Sequence, residues 1–176
     1  MLLSLKKISL FSLGILGASF VTASLASPTA PQPILPKEGL TITSPAGKAQ
    51  HFQVEMALNP EEQEAGEMFR TSVPEDGGML FVWKTPQVSH MWMRNTLVPL
   101  DMIFVSPSGR IVDIKENTVP HSERDISSSE PVKWTLELAG GVAEKDRIFI
   151  GDTVTLDKET KAAEEAAKSD EKAKEK

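Results

Sequence analysis

Residues Gly78-Met-Leu-Phe-Val-Trp83 and His90-Met-Trp-Met-Arg-Asn-Thr-Leu-Val-Pro-Leu-Asp101 decide the fold. They contain two short apolar runs, Met79 to Trp83 and Val88 to Met93, that read as strands joined by a loop. The second run ends in a dense polar and proline cluster. The same pattern continues outward. In His51-Phe-Gln-Val-Glu-Met-Ala-Leu58, Phe52, Val54, Met56 and Leu58 alternate with polar or small residues, the period of a strand with one buried face. Lys133 to Leu138 repeats it with Trp134, Leu136 and Leu138. Leu100 to Val105 and Arg110 to Glu116 predict a hairpin across Ser106-Pro-Ser-Gly109, and Gly151-Asp152 turns the chain into a last strand, Thr153 to Leu156. Helix is confined to two places. Asn59 can cap, Pro60 suits the first helical position and Glu62 can reach back to the cap nitrogen, which predicts a short, mostly exposed helix to about Phe69. Gly140 to Lys145 supplies about one further turn. Strands at this spacing, with no βαβ alternation and no internal repeat, predict a mostly β protein: a single compact β-sandwich or open barrel with one or two short helices.

The order Gly78-Met-Leu-Phe81, then Trp92-Met-Arg-Asn-Thr96, then Pro99-Leu-Asp101 resembles the bacterial and archaeal family catalogued as domain of unknown function 192. The resemblance runs from about Leu40 to Leu156. It implies a jelly-roll-like β domain and brings no established reaction with it. It also marks positions. The Arg after the helix matches Arg70, the Asn-Thr pair matches Asn95 and Thr96, the Pro-Leu-Asp matches Pro99, Leu100 and Asp101, and a Val-Pro-x-Ser pattern matches Val119, Pro120 and Ser122.

Outside that span the composition changes. Residues 1–26 read as an export signal, with Lys6 and Lys7 before an apolar run from Ile8 to Val21 and small residues up to a cleavage site after Ala26 or Ala23. The run is shorter than the roughly 20 residues a membrane span needs. Losing Lys6 and Lys7 leaves 17 of the 19 basic residues against 25 acidic ones, a formal charge of −8. Such a chain is a poor match for nucleic acid, whose binding rests on clustered Lys and Arg. The absence of cysteine excludes disulfides, thiolate chemistry and a lipoprotein anchor. Residues 27–39 read as a proline-rich linker and 157–176 as a charged tail without the apolar stripe needed to dock. The expectation is a periplasmic or secreted monomer with its domain at 40–156, without cofactor, without stable membrane insertion after cleavage, and with an unknown small ligand or envelope component as partner.

Three constellations bear on chemistry. Arg70, Asn95, Thr96, Asp101 and Ser122 fall near strand ends, where they can converge on one rim. Arg offers a fork of donors and Asp supplies acceptors, a set suited to a carboxylate, sugar hydroxyls or a peptide backbone. The same residues can instead close turns, with Asp101 paired to Arg70 or Arg94 as a structural clamp. His90, Met91 and Met93 are soft ligands of the kind that select Cu(I) or Ag(I), although strand alternation sets His90 opposite both methionines. For a hydrolase, Asp101, Asp113, Glu116 and Glu137 are the available acids, and no spacing selects a pair; Asp113 and Glu137 are expected on charged outward strand faces. The favoured reading is a non-enzymatic binding or accessory module of the cell envelope that uses the rim around Arg70, Asn95, Thr96 and Asp101. An envelope hydrolase working at Asp101 and a periplasmic Cu(I) or Ag(I) binder are its alternatives.

Overall fold

The computed structural model describes residues 27–158; the segment read as an export signal and the tail from residue 159 onward lie outside the described residues. The elements in chain order are β1 (Lys37–Thr43), β2 (Ala49–Ala57), α1 (Pro60–Ala65), β3 (Gly77–Gln87), β4 (His90–Met91), β5 (Leu100–Val105), β6 (Ile111–Lys115), β7 (Ile126–Ser127), β8 (Val132–Ala139), α2 (Val142–Asp146) and β9 (Thr153–Leu156). Seven strands form one sheet in the order β6-β5-β8-β3-β2-β1-β9, and β4 pairs with β7 in a separate ribbon. The sheet curls until its far edges meet at one corner. There Arg110 bridges to Thr153, and the N–H of Val154 donates to the carbonyl of Gly109 at 2.7 Å. The result is a half-barrel.

Period-two alternation fills its interior as the sequence predicts. Phe52, Val54 and Met56 from β2, Leu80 from β3, Ile103 and Val105 from β5 and Trp134, Leu136 and Leu138 from β8 share one apolar core. The opposite face is covered as well. Met102 and Phe104 pack with Met93 and Val132, while Ala57, Met79 and Phe81 pack with Leu35, Trp83 and Met91. The central strands β5, β8 and β3 are thus buried on both sides, by the loops that carry α1, β4 and β7. Where β3 crosses β8, a Cβ on Gly78 would overlap the carbonyl oxygen of Glu137, so this glycine permits close approach of two strands.

The helix start forms as read. Asn59 accepts from the N–H of Glu62 at 2.9 Å, and Glu62 closes the capping box. The helix stops earlier than expected, at Ala65, because Gly66 takes a positive φ (46°, with ψ −136°) that leaves the helix while its N–H donates to the carbonyl of Glu62. Glu67 and Met68 are thereby turned inward and buried. The connection through α1 also makes β2 and β3 parallel, a crossover that periodicity did not disclose. Leu58, expected in the β2 apolar row, falls beyond the strand and is exposed. The proline-rich stretch is held against the domain: Gln32 donates to the carbonyls of Glu62 and Gly66 at 3.1 and 2.9 Å, and β1 begins within it, at Lys37.

Asp101 points inward from β5 and is fully buried. Its Oδ1 accepts from the N–H of Asn117 and its Oδ2 from the N–H of Ala143, both at 2.8 Å. The second bond caps the open start of α2, whose N-cap, Gly141, supplies no side chain. Asp101→Ala strands two buried donors and should cost about 3–5 kcal/mol by chemical denaturation. A loss below about 1 kcal/mol would show that the clamp does not hold the fold.

Candidate functional site

Cross-strand register sets up the site. Glu55 on β2 is opposite Met79 on β3, Met79 is opposite Glu137 on β8, and Glu137 is opposite Met102 on β5. All four side chains emerge on the covered face, so two carboxyls lie under the loops with a single strand between them. The chain leaving Gly66 brings Glu67 and Arg70 over this row. Arg70 grips Glu55 with both terminal nitrogens, Nη1 to Oε1 at 2.6 Å and Nη2 to Oε2 at 2.8 Å, and the N–H of Leu35 adds a third bond to Glu55. Burial alone would raise the Glu55 pKa, but these bonds and the Arg70 charge outweigh it and hold the carboxyl below its ordinary value.

Glu67 and Glu137 are less well served. Oε2 of Glu67 lies 3.3 Å from Nε of Arg70 without a hydrogen bond, and Oε2 of Glu137 is buried with no partner. Burial pushes Glu67 up to about 7 against the pull of Arg70, with Glu55 adding to the rise. Glu137, wholly enclosed, is raised well above the carboxylate range, first by burial and then by the Glu67 charge. The expectation that Glu137 faces solvent is therefore wrong, because the loops roof the β8 face on which it stands; Asp113 is also largely buried, paired to Lys115 at 2.9 Å.

Both acids line a cavity of about 20 Å³ beneath Met68, Phe81 and Thr96. The cavity adjoins an open cleft of about 350 Å³, with Gln63, Glu64, Met91 and Trp92 common to the two. Trp83, Met91 and Trp92 give the cleft an apolar wall. Its polar edge is Glu64, Glu123 and the His90–Asp125 pair, whose ring nitrogen and carboxylate oxygen are 3.0 Å apart. Trp83 is fixed from behind by its indole N–H, which donates to Thr135 at 3.1 Å. Arg94 covers one face of Trp92, 3.9 Å from the ring centre.

The residues selected from sequence do not share one rim. Arg70 is committed to Glu55 and lines a different depression, of about 420 Å³, beside Ile34 and Pro74. Asp101 is locked under α2, bonded to backbone rather than to Arg70 or Arg94. Asn95 makes a left-handed turn (φ 55°) whose carbonyl accepts from the N–H of Phe69. Ser122 supports a turn through the N–H of Arg124 at 3.3 Å, and its carbonyl receives the N–H of Met93. Thr96 alone of the five reaches the cavity. Nor are the soft ligands assembled: Met93 is buried among Leu100, Met102 and Phe104 with its sulfur 3.1 Å from the Thr118 hydroxyl oxygen, whereas His90 and Met91 line the cleft. Among the described residues no cluster of three His, Asp or Glu side chains is placed to hold a metal ion. The sequence reading missed Glu67, Trp83 and Glu64. The one available signal was Gly66, which ends the helix and turns Glu67 inward.

A raised pKa means that the folded state holds protons the unfolded chain has released. Glu67 therefore contributes its full stabilisation below pH 4.5 and loses it as pH rises to about 7, and Glu137 acts in the same direction. Glu55 has the opposite sign, losing its contribution as pH falls. Melting temperature should consequently decline between pH 5 and 8. In a parallel melt series Glu67→Gln should flatten the decline, gaining about 2–3 kcal/mol on the parent at pH 8 relative to pH 5.

The DUF192 family model, described as Uncharacterized ACR, matches residues 41–156. Among solved structures, a candidate transcription regulator from Sinorhizobium meliloti 1021 is 38% identical, covers 71% of this chain and 97% of its own, and superposes with a TM-score of 0.69. A protein of unknown function from Novosphingobium aromaticivorans DSM 12444 is 35% identical, covers 79% and 99%, and gives 0.67. No curated protein matches the chain. With the family model spanning most of its length and the half-barrel shared with these structures, the chain belongs to the DUF192 family.

Proposed function

We propose that this protein is a non-enzymatic binding module of the cell envelope, and that it captures a small ligand in the cleft between α1 and the β4–β7 ribbon. The observation that carries this reading is the pair of buried carboxyl oxygens without hydrogen-bond partners, on Glu67 and Glu137, at the floor of an aromatic-walled opening. Unsatisfied buried polar atoms are uncommon in folded proteins because each costs desolvation energy, and a ligand that supplies donors removes the cost. An apolar wall with a few convergent polar groups is the usual form of a small-molecule site. The envelope location rests on the basic and apolar character of residues 1–26, and delivery to that compartment as a soluble monomer fits the acidic composition. The regulator name of one relative suggests effector binding more readily than DNA binding for this chain, since its net charge is −6.

The cleft replaces the Asp101 rim as the place of capture, since Asp101 has both oxygens occupied. A screen of small metabolites by ¹H–¹⁵N NMR should perturb the indole resonances of Trp83 and Trp92 together with the amides of residues 63–67 and 90–92. Trp92→Ala, at a half-exposed mouth residue, should weaken binding about tenfold and leave the fold intact. Shifts confined to Arg70 and Thr71 would move the site to the other depression. Turnover of the captured compound would make the protein a hydrolase, with Glu67 and Glu137 as its acids.

A further inference from the structure

Charge, size and wall chemistry narrow the ligand, provided the cleft is the binding site. We infer that the cavity beside Glu67 and Glu137 seats a protonated primary amine whose carbon chain lies along Trp83, Met91 and Trp92.

Three observations converge on that group. The first is an excess of acceptors. Oε2 of Glu137 and Oε2 of Glu67 have no hydrogen-bond partner, and because each carboxyl only accepts once ionised, a cationic donor satisfies both in that form. Arg70 does not fill the role, because both its terminal nitrogens are bonded to Glu55 and its Nε reaches Glu67 without a hydrogen bond. The second is the sign of the surroundings. Glu67 and Glu137 line the cavity with the paired Glu55 and Arg70 beside them, and the mouth adds Glu64, Glu123 and Asp125 against His90 and Arg94, the last 3.7 Å from Glu123. Acids outnumber bases at both levels, which favours a cation over an anion. The third is volume. A space of about 20 Å³ exceeds the roughly 10–15 Å³ that a water-sized group requires and admits one ammonium, not a quaternary head. A metal ion is the poorer occupant, since among the described residues no three acids or histidines are grouped to ligate it.

The cleft suits the remainder of such a molecule. Trp83, Met91 and the uncovered surface of Trp92 form an apolar channel for methylenes. Arg94 already takes one face of Trp92, which leaves recognition of the charge to the two acids. Enclosure favours the protonated form of both acids, raising Glu67 to about 7 and Glu137 well above the carboxylate range. Entry of an ammonium ionises them: a carboxyl O–H breaks, the proton passes to solvent, and N–H groups of the amine replace it as donors. Binding is thus coupled to proton release, a signature that apolar capture in the same cleft lacks.

The test is calorimetry at pH 7 in two buffers of different ionisation enthalpy. The probes are n-butylamine, Nα-acetyl-lysine methylamide, tetramethylammonium and n-butanol. Both amines should bind with net proton release, and butanol and tetramethylammonium at least about tenfold more weakly, the scale of a charge-assisted hydrogen bond. Glu137→Gln, which keeps the shape of the side chain, should weaken n-butylamine about tenfold and reduce the released proton. Glu67→Gln serves as a second variant, and circular dichroism checks the fold of each. Trp92→Ala should lower affinity without changing the protons released. Tighter binding of the lysine derivative identifies a lysine side chain as the natural source; tighter binding of n-butylamine identifies a free amine. Equal affinity for butanol, or amine binding without proton release, overturns the inference. If neither amine binds while another compound perturbs the cleft, the amine assignment fails and the binding function stands; if nothing perturbs the cleft, both fall.

Discussion

Asp101 accepts two backbone N–H bonds inside the half-barrel, and much of the architecture depends on that arrangement. A curled seven-stranded sheet that meets its own far edge only at Arg110 and Thr153 leaves an end open to solvent. The helix α2 stops that end with Val142 and Ala143, and its first N–H groups need an acceptor. Asp101 provides it while also fixing Asn117, and the neighbouring Thr118 hydroxyl donates to the carbonyl of Leu100 at 2.8 Å. On the other flank the N–H of Gly140 donates to Pro99, and a Cβ on Gly140 would press against that proline. The Pro-Leu-Asp stretch and the glycine pair at 140–141 are one knot. Its polarity belongs to the fold.

The second constraint is that both faces of the central strands are covered. Covering the outer face with loops removes apolar surface such as Phe81, Met102 and Phe104 from water, at about 25 cal/mol per Å². It also traps whatever polar groups emerge there. Thr135 is absorbed by a hydroxyl chain, receiving the Trp83 indole N–H and donating to Ser89 at 2.9 Å. Glu55 is absorbed by Arg70. Glu137 and Glu67 are not absorbed, and their opposition, rather than any motif, defines the candidate site.

These two constraints explain why the polar residues chosen from sequence scattered. Polar residues near strand ends are either acceptors for orphaned backbone donors or groups held for a ligand, and the two uses look alike in one dimension. Asp101 and Ser122 proved to serve backbone, and the Asn95 amide donates to the Met68 sulfur at 3.9 Å. Arg70 serves a carboxylate fifteen residues away that no spacing rule connects to it.

The sequence by itself determined the mostly β class, the strand faces built on Phe52, Val54 and Met56 and on Trp134, Leu136 and Leu138, the Asn59–Glu62 capping box and the turn at Ser106–Gly109, because each depends on neighbours within a few residues. Only the tertiary structure decided that β2 and β3 run parallel, that the outer face is roofed, and that Glu67 meets Glu137 across seventy residues of chain. Alternation states which side of a strand a residue takes, but whether that side is wet or covered depends on loops folding back from elsewhere. For Glu137 that difference separates an ordinary surface carboxylate from a buried acid in the cavity beside the cleft.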